Sequence, residues 1–547
     1  MLDLWYKSAI LYCLDVETYM DSDGDGIGDF EGLTLRLDYI KGLGVTCIWL
    51  LPFYPTPNRD NGYDVMDYYN VDSRLGTLGD FVEFTRQAND RGIRVIIDLV
   101  VNHTSIEHPW FQAACKNKDS KYRDFYIWSE EKPEDAEEGI IFPGVQESTW
   151  TYNEQAGAYY FHRFYEHQAD LNIANPKVRE EIEKIMGFWL QLGVSGFRID
   201  AAPFLIELRG IKEQADISDP HAYLKDLRNF LSWRRGDAIV LAEANVPLKD
   251  VPEYFGDGDK MQMLFNFILN QHLFLALAQE KVAPIIEALK AQPDIPDICQ
   301  WASFLRNHDE LSLDKLSDSQ QDEIAAAFAS DREKMWIYNR GIRRRFPPMV
   351  EGDQRRIRLA YSLMLTLPGT PVLRYGEEIG MGDDLSLEER NAVRTPMQWS
   401  SGPNAGFSTA PPEKLIRPVI TGEKYGYKHL NVINQRRDVN SLLNWMERAI
   451  RMRTECPEFG WGTWQILDTG NPCVFAHRCE WHDGVVIAVH NLGKEACTVT
   501  LELKDEEGKS LTELLGDHPY KQIEDPSPTI ELDGYGYRWF RVGGYHL

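Results

Sequence analysis

Short runs of β-branched and aromatic residues recur along the chain with helix-period stretches between them, the pattern of a parallel sheet with crossover helices. The runs are VTCIWLLP (45–52), RVIIDLVV (94–101), VSGFRID (194–200), IVLAEA (239–244), WASFLRNHD (301–309) and TPVLRYGEE (370–378), with weaker ones at 10–16 and 263–267. Eight strands alternating with helices predict an α/β protein built on a closed (β/α)8 TIM barrel. Nearly every run ends in polar or charged residues: Asp98 to His103, Arg198 and Asp200, Glu243, and His308 with Asp309. In such a barrel the catalytic groups sit at that end of the strands.

The gap between the runs at 94–101 and 194–200 is about twice the usual spacing, and residues 106–170 fill it with an aromatic and charged stretch. We expect a small β-rich B subdomain there, the alternative being a long disordered loop. A helical segment falls near 441–459. Beyond it, VFAHRCEW, GVVIAVHN, ACTVTLEL and YRWFRV alternate apolar and polar residues, which predicts antiparallel strands with one wet face. The expected division is a barrel over 1–105 and 171–459, the insertion at 106–170, and a C-terminal antiparallel β-sandwich over 460–547.

Composition narrows the class of function. The chain has 547 residues, 43% of them hydrophobic, enough for one large domain with appendages. Its formal net charge of −27 would repel a phosphate backbone and an anionic bilayer, so nucleic acid and membrane partners are not expected. Eight cysteines lie without C-x-x-C spacing, which reads as reduced structural thiols. No leader-like basic and apolar N-terminus is visible, and a soluble cytoplasmic protein is expected. Fifteen Trp and 25 Tyr suit flat sugar rings, yet also fill ordinary cores.

Cleaving a glycosidic bond needs one carboxylate below the anomeric carbon and one carboxylic acid at the leaving oxygen. GFRIDA (196–201) places Arg198 and Asp200 on one face of a strand, so the guanidinium can keep the carboxylate ionised. LAEAN (241–245) ends the next strand in an apolar setting that raises a Glu towards a general acid. RNHD (306–309) adds a carboxylate beside a His, and DLVVNH (98–103) supplies another His at the mouth.

DLVVNH, GFRIDA, EAN and RNHDE, in this order and at these strand ends, resemble the four sequence regions of the α-amylase superfamily, glycoside hydrolase family 13. The resemblance implies Asp200 as nucleophile, Glu243 as acid/base and Asp309 as the third carboxylate. It further implies a glucose subsite lined by His103, Arg198, His308 and the Tyr63-Asp64 pair, with Phe161, Gln168 and Arg394 as further substrate contacts. QADLN (168–172) resembles the fifth region of the α-glucosidase branch, with Ala169 where Pro is usual. DSDGDGIGD (21–29) offers oxygens at alternating positions around a glycine turn, which suits Ca²⁺; the EF-hand is excluded because Gly32 stands where its bidentate Glu belongs. Within the family this stretch is similar to a calcium loop with Asp21, Asp23, Asp25, the Ile27 carbonyl and Asp29 as ligands, the alternative being a metal-free turn. A second calcium site in the family implies Asn102, Asp170 and Glu207. No organic cofactor is implied.

The stretches WLLPFYPTPNRDNGYDV, FLRNHDEL, GIRRR, EEIGMGD and RTPMQW extend the resemblance over most of the chain, towards the branch that interconverts maltose and trehalose. Ala201-Ala202 after the nucleophile resembles enzymes acting on α-1,4 bonds. Three stretches depart from that branch: Arg374 in place of a second Tyr, Val-Pro-Leu after Asn245, and the 383–393 loop. At a pocket rim these would alter which acceptor is held, so an α-glucosidase hydrolysing short α-glucosides stays open beside the isomerase; Arg374 is equally expected as a structural salt-bridge partner. Homo-oligomers and a maltokinase partner are further expectations from the branch. A non-catalytic interaction module would have lost carboxylates that this chain keeps.

Overall fold

The computed structural model describes residues 3–206, 219–503, 509, 511–516 and 527–543 of the chain. Eight parallel strands close into a barrel: β1 (Leu11–Leu14), β2 (Cys47–Leu50), β3 (Arg94–Leu99), β4 (Gly196–Ile199), β5 (Ile239–Ala242), β6 (Met263–Phe265), β7 (Gln300–Phe304) and β8 (Thr370–Arg374). Each strand pairs with its neighbours in sequence, and Leu11 closes the ring by pairing with both Cys47 and Val372. All eight match runs visible in the sequence.

The strands are buried on both faces, which is why they read as continuous apolar runs. Outward residues such as Ile48, Ile97 and Val240 pack under the helices. The helix Leu78–Asp90 shows how that layer forms: Thr77 and Asp80 close a capping box, and Phe81, Phe84, Thr85 and Ala88 make the face that it buries. Inward residues Leu11, Trp49, Ile96, Leu241, Phe304 and Val372 fill the barrel, with Trp49 against Phe265 at 5.3 Å between ring centroids. Gly196 lets β4 and β5 approach, for a Cβ there would stand 2.3 Å from the Ile239 carbonyl oxygen. One step further along the strands the inward positions turn polar, as Asp98, Arg198 and Arg374.

Between β3 and β4 the chain forms two small sheets. His103–Ser105 pairs with Gln168–Asp170, and Trp128–Ser129, Trp150–Asn153 and Ala158–Phe161 make a three-stranded sheet. After the helix Leu442–Thr454, a five-stranded sheet runs β9 (Thr463–Leu467), β10 (Val474–Trp481), β11 (Gly484–Asn491), β13 (Leu511–Glu513) and β15 (Tyr537–Val542), in the order β9-β10-β11-β15-β13. It faces a two-stranded sheet of β12 (Cys497–Thr500) and β14 (Thr529–Leu532) across a core that includes Ile487, Leu501, Ile530 and Phe540.

The expectation of one wet face fails for the central strands. β11 is buried at every position but its first, because the outer face of its sheet packs on the helix Gln354–Thr366. There His490 meets Ser362 at 2.9 Å, Trp539 donates to the same hydroxyl at 2.8 Å, and His477 donates to the Thr366 carbonyl at 2.8 Å. Among the described residues all eight cysteines are free thiols, and no helix is long and apolar enough to cross a membrane.

Candidate active site

The site is built upward from Arg198, which β4 points into the barrel axis. Its Nη1 lies 2.6 Å from both Asp98 and Asp200, and its Nη2 lies 2.5 Å from Glu243. The guanidinium is 1% exposed, so its charge is balanced by these carboxylates rather than by water. Asp98, on the floor, also accepts from Trp49 Nε1 and Tyr63 Oη, and burial pushes it up to about 7. Asp200 stands at the end of β4, and Ala201 after it takes a left-handed φ of 49°, a strained turn for a non-glycine residue. Glu243 ends β5. Desolvation first, then the charges of Asp200 and Asp309, push it up to about 7 against the pull of Arg198.

One guanidinium therefore bridges two carboxyl groups, and Glu243, raised to about 7, still holds the proton of a general acid near neutral pH. Two carboxyls sharing one planar cation suit the short ~5 Å separation of double displacement, more than the ~6.5–9.5 Å gap that admits a water for inversion. Asp309, after β7, is gripped by Arg394 Nη2 at 2.9 Å and Arg390 Nη1 at 3.1 Å. Burial alone would raise it, but Arg390, Arg394 and Arg198 hold it far below the usual carboxylate range. Asp200, Glu243 and Asp309 open into one cavity of about 350 Å³, walled on one side by Phe142, Phe164 and Phe204.

Residues 16–462 match the model of the alpha amylase catalytic domain. The chain belongs to the α-amylase family. Residues 484–541 match a sucrose hydrolase-like C-terminal domain. Full-length relatives include the trehalose synthase of Pimelobacter sp. (strain R48), 42% identical over 98% of this chain and 96% of its own. The trehalose synthase/amylase TreS of Mycolicibacterium smegmatis is 43% identical over 98% and 92%. Among solved structures, the alpha-amylase from H. orenii superposes with a TM-score of 0.80 at 27% identity, covering 98% and 99% of the two chains. The trehalulose synthase MutB from Pseudomonas mesoacidophila MX-45 does so with 0.77 at 26% identity, over 98% and 99%.

Against that family pattern, Tyr63 and His103 line the cavity with the three carboxylates. His308 lies just behind, 2.7 Å from Tyr63 Oη and 3.4 Å from Asp309, and His103 is set by the Tyr63 carbonyl at 3.1 Å. Gln168 and Arg394 are buried behind the wall and act on it: Gln168 Nε2 donates to Asp60 at 2.8 Å, and Arg394 Nε to the His308 carbonyl at 2.8 Å.

Three expectations are corrected. Asp64 is fully buried and spends its oxygens on Thr56 Oγ1 and the amides of Arg59 and Asp60, so it shapes the turn; Asp60 of the same motif lines the cavity, and burial pushes it up to about 7. Phe161 points into the inserted lobe, against Ile127, Ala136 and Trp150, because strand alternation gives that face to the lobe's own core. Arg374 is neither a rim residue nor a salt-bridge partner. It is 1% exposed, donates Nη1 to the Asn307 carbonyl at 3.1 Å and its backbone amide to Glu377 Oε2 at 2.9 Å, and its guanidinium forms no ion pair among the described residues. Burial lowers it to about 9.

Sequence reasoning missed Arg390, which bonds Glu310 at 2.9 Å as well as Asp309 and lines the cavity. The altered 383–393 loop that carries it is held by the IRRR run: Arg343 donates to the carbonyls of Leu385, Leu387 and Glu389, Arg344 pairs with Asp383, and Arg345 donates to Val393. The GIRRR motif was visible as a resemblance, but its partners lie about 40 residues away.

In the 21–29 loop, Asp21, Asp23 and Asp29 bring carboxylate oxygens within 4.8 Å of one another. No Lys or Arg among the described residues pairs with any of them, a like-charge cluster that a divalent cation would relieve. Asp25 is outside the cluster and caps the Ile27 amide at 2.8 Å. Of the second set, Asn102 donates to Asp170 at 3.2 Å; Glu207 lies outside the described residues.

Proposed function

We propose that this enzyme interconverts maltose and trehalose by intramolecular glucosyl transfer with retention. The observation that carries the chemistry is Arg198 bonded to both Asp200 and Glu243, with Glu243 pushed up to about 7. Asp200 attacks the anomeric carbon while Glu243 protonates the bridging oxygen, and a β-glucosyl ester on Asp200 and free glucose result. Glu243, now a carboxylate, takes the proton from the anomeric hydroxyl of the retained, reoriented glucose, which attacks the ester to form the α,α-1,1 bond. Asp309, ionised by its arginines, suits hydrogen bonds to ring hydroxyls that tighten as the sugar flattens. The relatives named trehalose synthase at 42–43% identity support this choice of acceptor.

A second reading, hydrolysis of short α-glucosides, is favoured by the name synthase/amylase of one relative and by the oligo-1,6-glucosidase of Bacillus cereus at 29% identity. A proton NMR time course on maltose alone separates the two: trehalose as main product supports the isomerase, glucose as main product replaces it with the hydrolase. The cluster of Asp21, Asp23 and Asp29 fits a structural Ca²⁺, which would brace the loop after β1 without touching the reaction. The free thiols suit a reducing cytoplasm.

A further inference from the structure

We propose that Glu389 is a positioning residue that sets how well this pocket excludes water between the two half-reactions, by clasping Tyr165 to Tyr338. The proposal rests on the double displacement through Asp200 and names a determinant of its outcome.

The three residues come from separate segments: Tyr165 from the inserted lobe, Tyr338 from the bend between Trp336–Ile337 and Gly341–Ile342, and Glu389 from the 383–393 loop. Both tyrosine hydroxyls lie 3.1 Å from Glu389 Oε2 and 3.1 Å from each other. Two hydroxyl protons serve three contacts, and giving both to the carboxylate makes two charge-assisted bonds, the stronger arrangement. Around this triangle the rings close up. Phe142 stacks on Tyr165 at 4.6 Å and meets Tyr338 at 4.7 Å, and the Arg390 guanidinium sits over Phe142 and Tyr338 at 5.2 and 5.3 Å.

Phe142, Arg340 and Arg390 face the catalytic cavity, whereas Tyr338 and Glu389 line a separate groove of about 490 Å³ on the outer side. The clasp is thus the partition between the two spaces. Arg340 and Arg390 both bond Glu310, at 2.8 and 2.9 Å, which joins the wall to Asp309. Tyr338, Asn339 and Glu389 all hold left-handed φ values of 53°, 54° and 44° without being glycine. Such backbone persists only where its surroundings over-determine it, and the clasp and the three Arg343 bonds do so. Opening this wall would admit water to the glucosyl ester while leaving Asp200, Glu243 and Arg198 in place.

The test uses the full-length enzyme with p-nitrophenyl α-glucoside as donor and added glucose as acceptor, so that transfer and hydrolysis of one ester are counted together. Glu389→Ala and the double variant Tyr165→Phe/Tyr338→Phe are expected to lower the transfer-to-hydrolysis ratio at least about threefold, while kcat/KM for p-nitrophenol release stays within about twofold. Glu389→Gln, whose carbonyl still accepts from both tyrosines, should keep the wild-type ratio. An unchanged ratio in both disrupting variants overturns the proposal, as does a fall in p-nitrophenol release that matches the fall in transfer. If Glu389→Ala melts at lower temperature, the tyrosine pair, which keeps every ring, decides. A wild type that makes no trehalose from maltose defeats the isomerase reading, yet the ratio remains measurable and judges the clasp separately.

Discussion

Glu243→Gln removes one ionisable proton from a site whose shape it preserves, because a Gln carbonyl can still accept from Arg198 Nη2, now 2.5 Å from Glu243 Oε2. Glucose is a poor leaving group without a proton, so kcat/KM on maltose should fall about 10²–10⁴-fold. p-Nitrophenolate leaves unaided, and kcat/KM on its glucoside should fall far less. The wild-type rate on maltose should decline above pH about 7, where Glu243 loses its proton, and this limb should be missing in the variant. Stability offers an independent reading. Because the folded pKa is raised from 4.5 to about 7, the native state holds this proton where the unfolded chain has lost it. Stability therefore declines as pH rises through that window, and above it the ionised group costs at most ~3 kcal/mol. The actual cost is smaller, since the side chain keeps 24% of its exposure. Glu243→Gln should accordingly melt above the wild type at pH 8 and level with it at pH 4. A variant that keeps the alkaline limb, or loses both substrates equally, would refute the assignment of Glu243 as the acid.

The remaining predictions concern neighbouring parts of the molecule. Asp60→Ala should raise KM for maltose with little change in melting temperature, whereas Asp64→Ala should lower the melting temperature, by ~1–3 kcal/mol of stability, because it orphans the amides of Arg59 and Asp60. Chelation should destabilise the protein by ~3–4 kcal/mol if the ion stands at 100 to 1,000 times its Kd, and added Ca²⁺ should restore the melting temperature; an unchanged curve after complete metal removal counts against the Asp21 loop as a site. Burial lowers His477 to about 4 and pushes His490 well below its ordinary range, so the unfolded chain binds their protons first as pH falls. Stability from this interface is full above pH about 6.5 and is lost towards pH 4, up to ~3 kcal/mol for His477. His477→Gln, measured by denaturant midpoint from pH 7 to 4.5, should flatten that loss, and an identical slope would show that the acid sensitivity lies elsewhere.

The barrel was legible because a parallel strand buried on both faces must be a short apolar run, and all eight runs, even the weak ones at 10–16 and 263–267, became strands. The grouping of Asp200, Glu243 and Asp309 around one cavity was legible for a related reason: a polar residue that ends an apolar strand has only the barrel mouth to occupy. Period-two alternation placed Arg198 beside Asp200, and the structure shows them 2.6 Å apart. The same logic misled at Phe161, where alternation says that a residue faces inward but not into which interior, and at β11, where a helix covers the face expected to be wet.

What the sequence alone determined is therefore the set of strands, the chemistry at their ends and the family. What only the tertiary structure decided is the pocket's wall. Asp60 rather than Asp64 reaches the cavity because of the path of one turn, and Arg374 lies below the site rather than at its rim because β8 points it inward. Tyr165, Tyr338, Glu389 and Arg390 come from loops without periodicity, 51 or more residues apart between the lobe, the bend and the 383–393 loop. Local pattern reports which face of an element is buried, because burial repeats with the backbone's own period; contacts between loops follow no such period and exist only once the barrel has set where the loops meet.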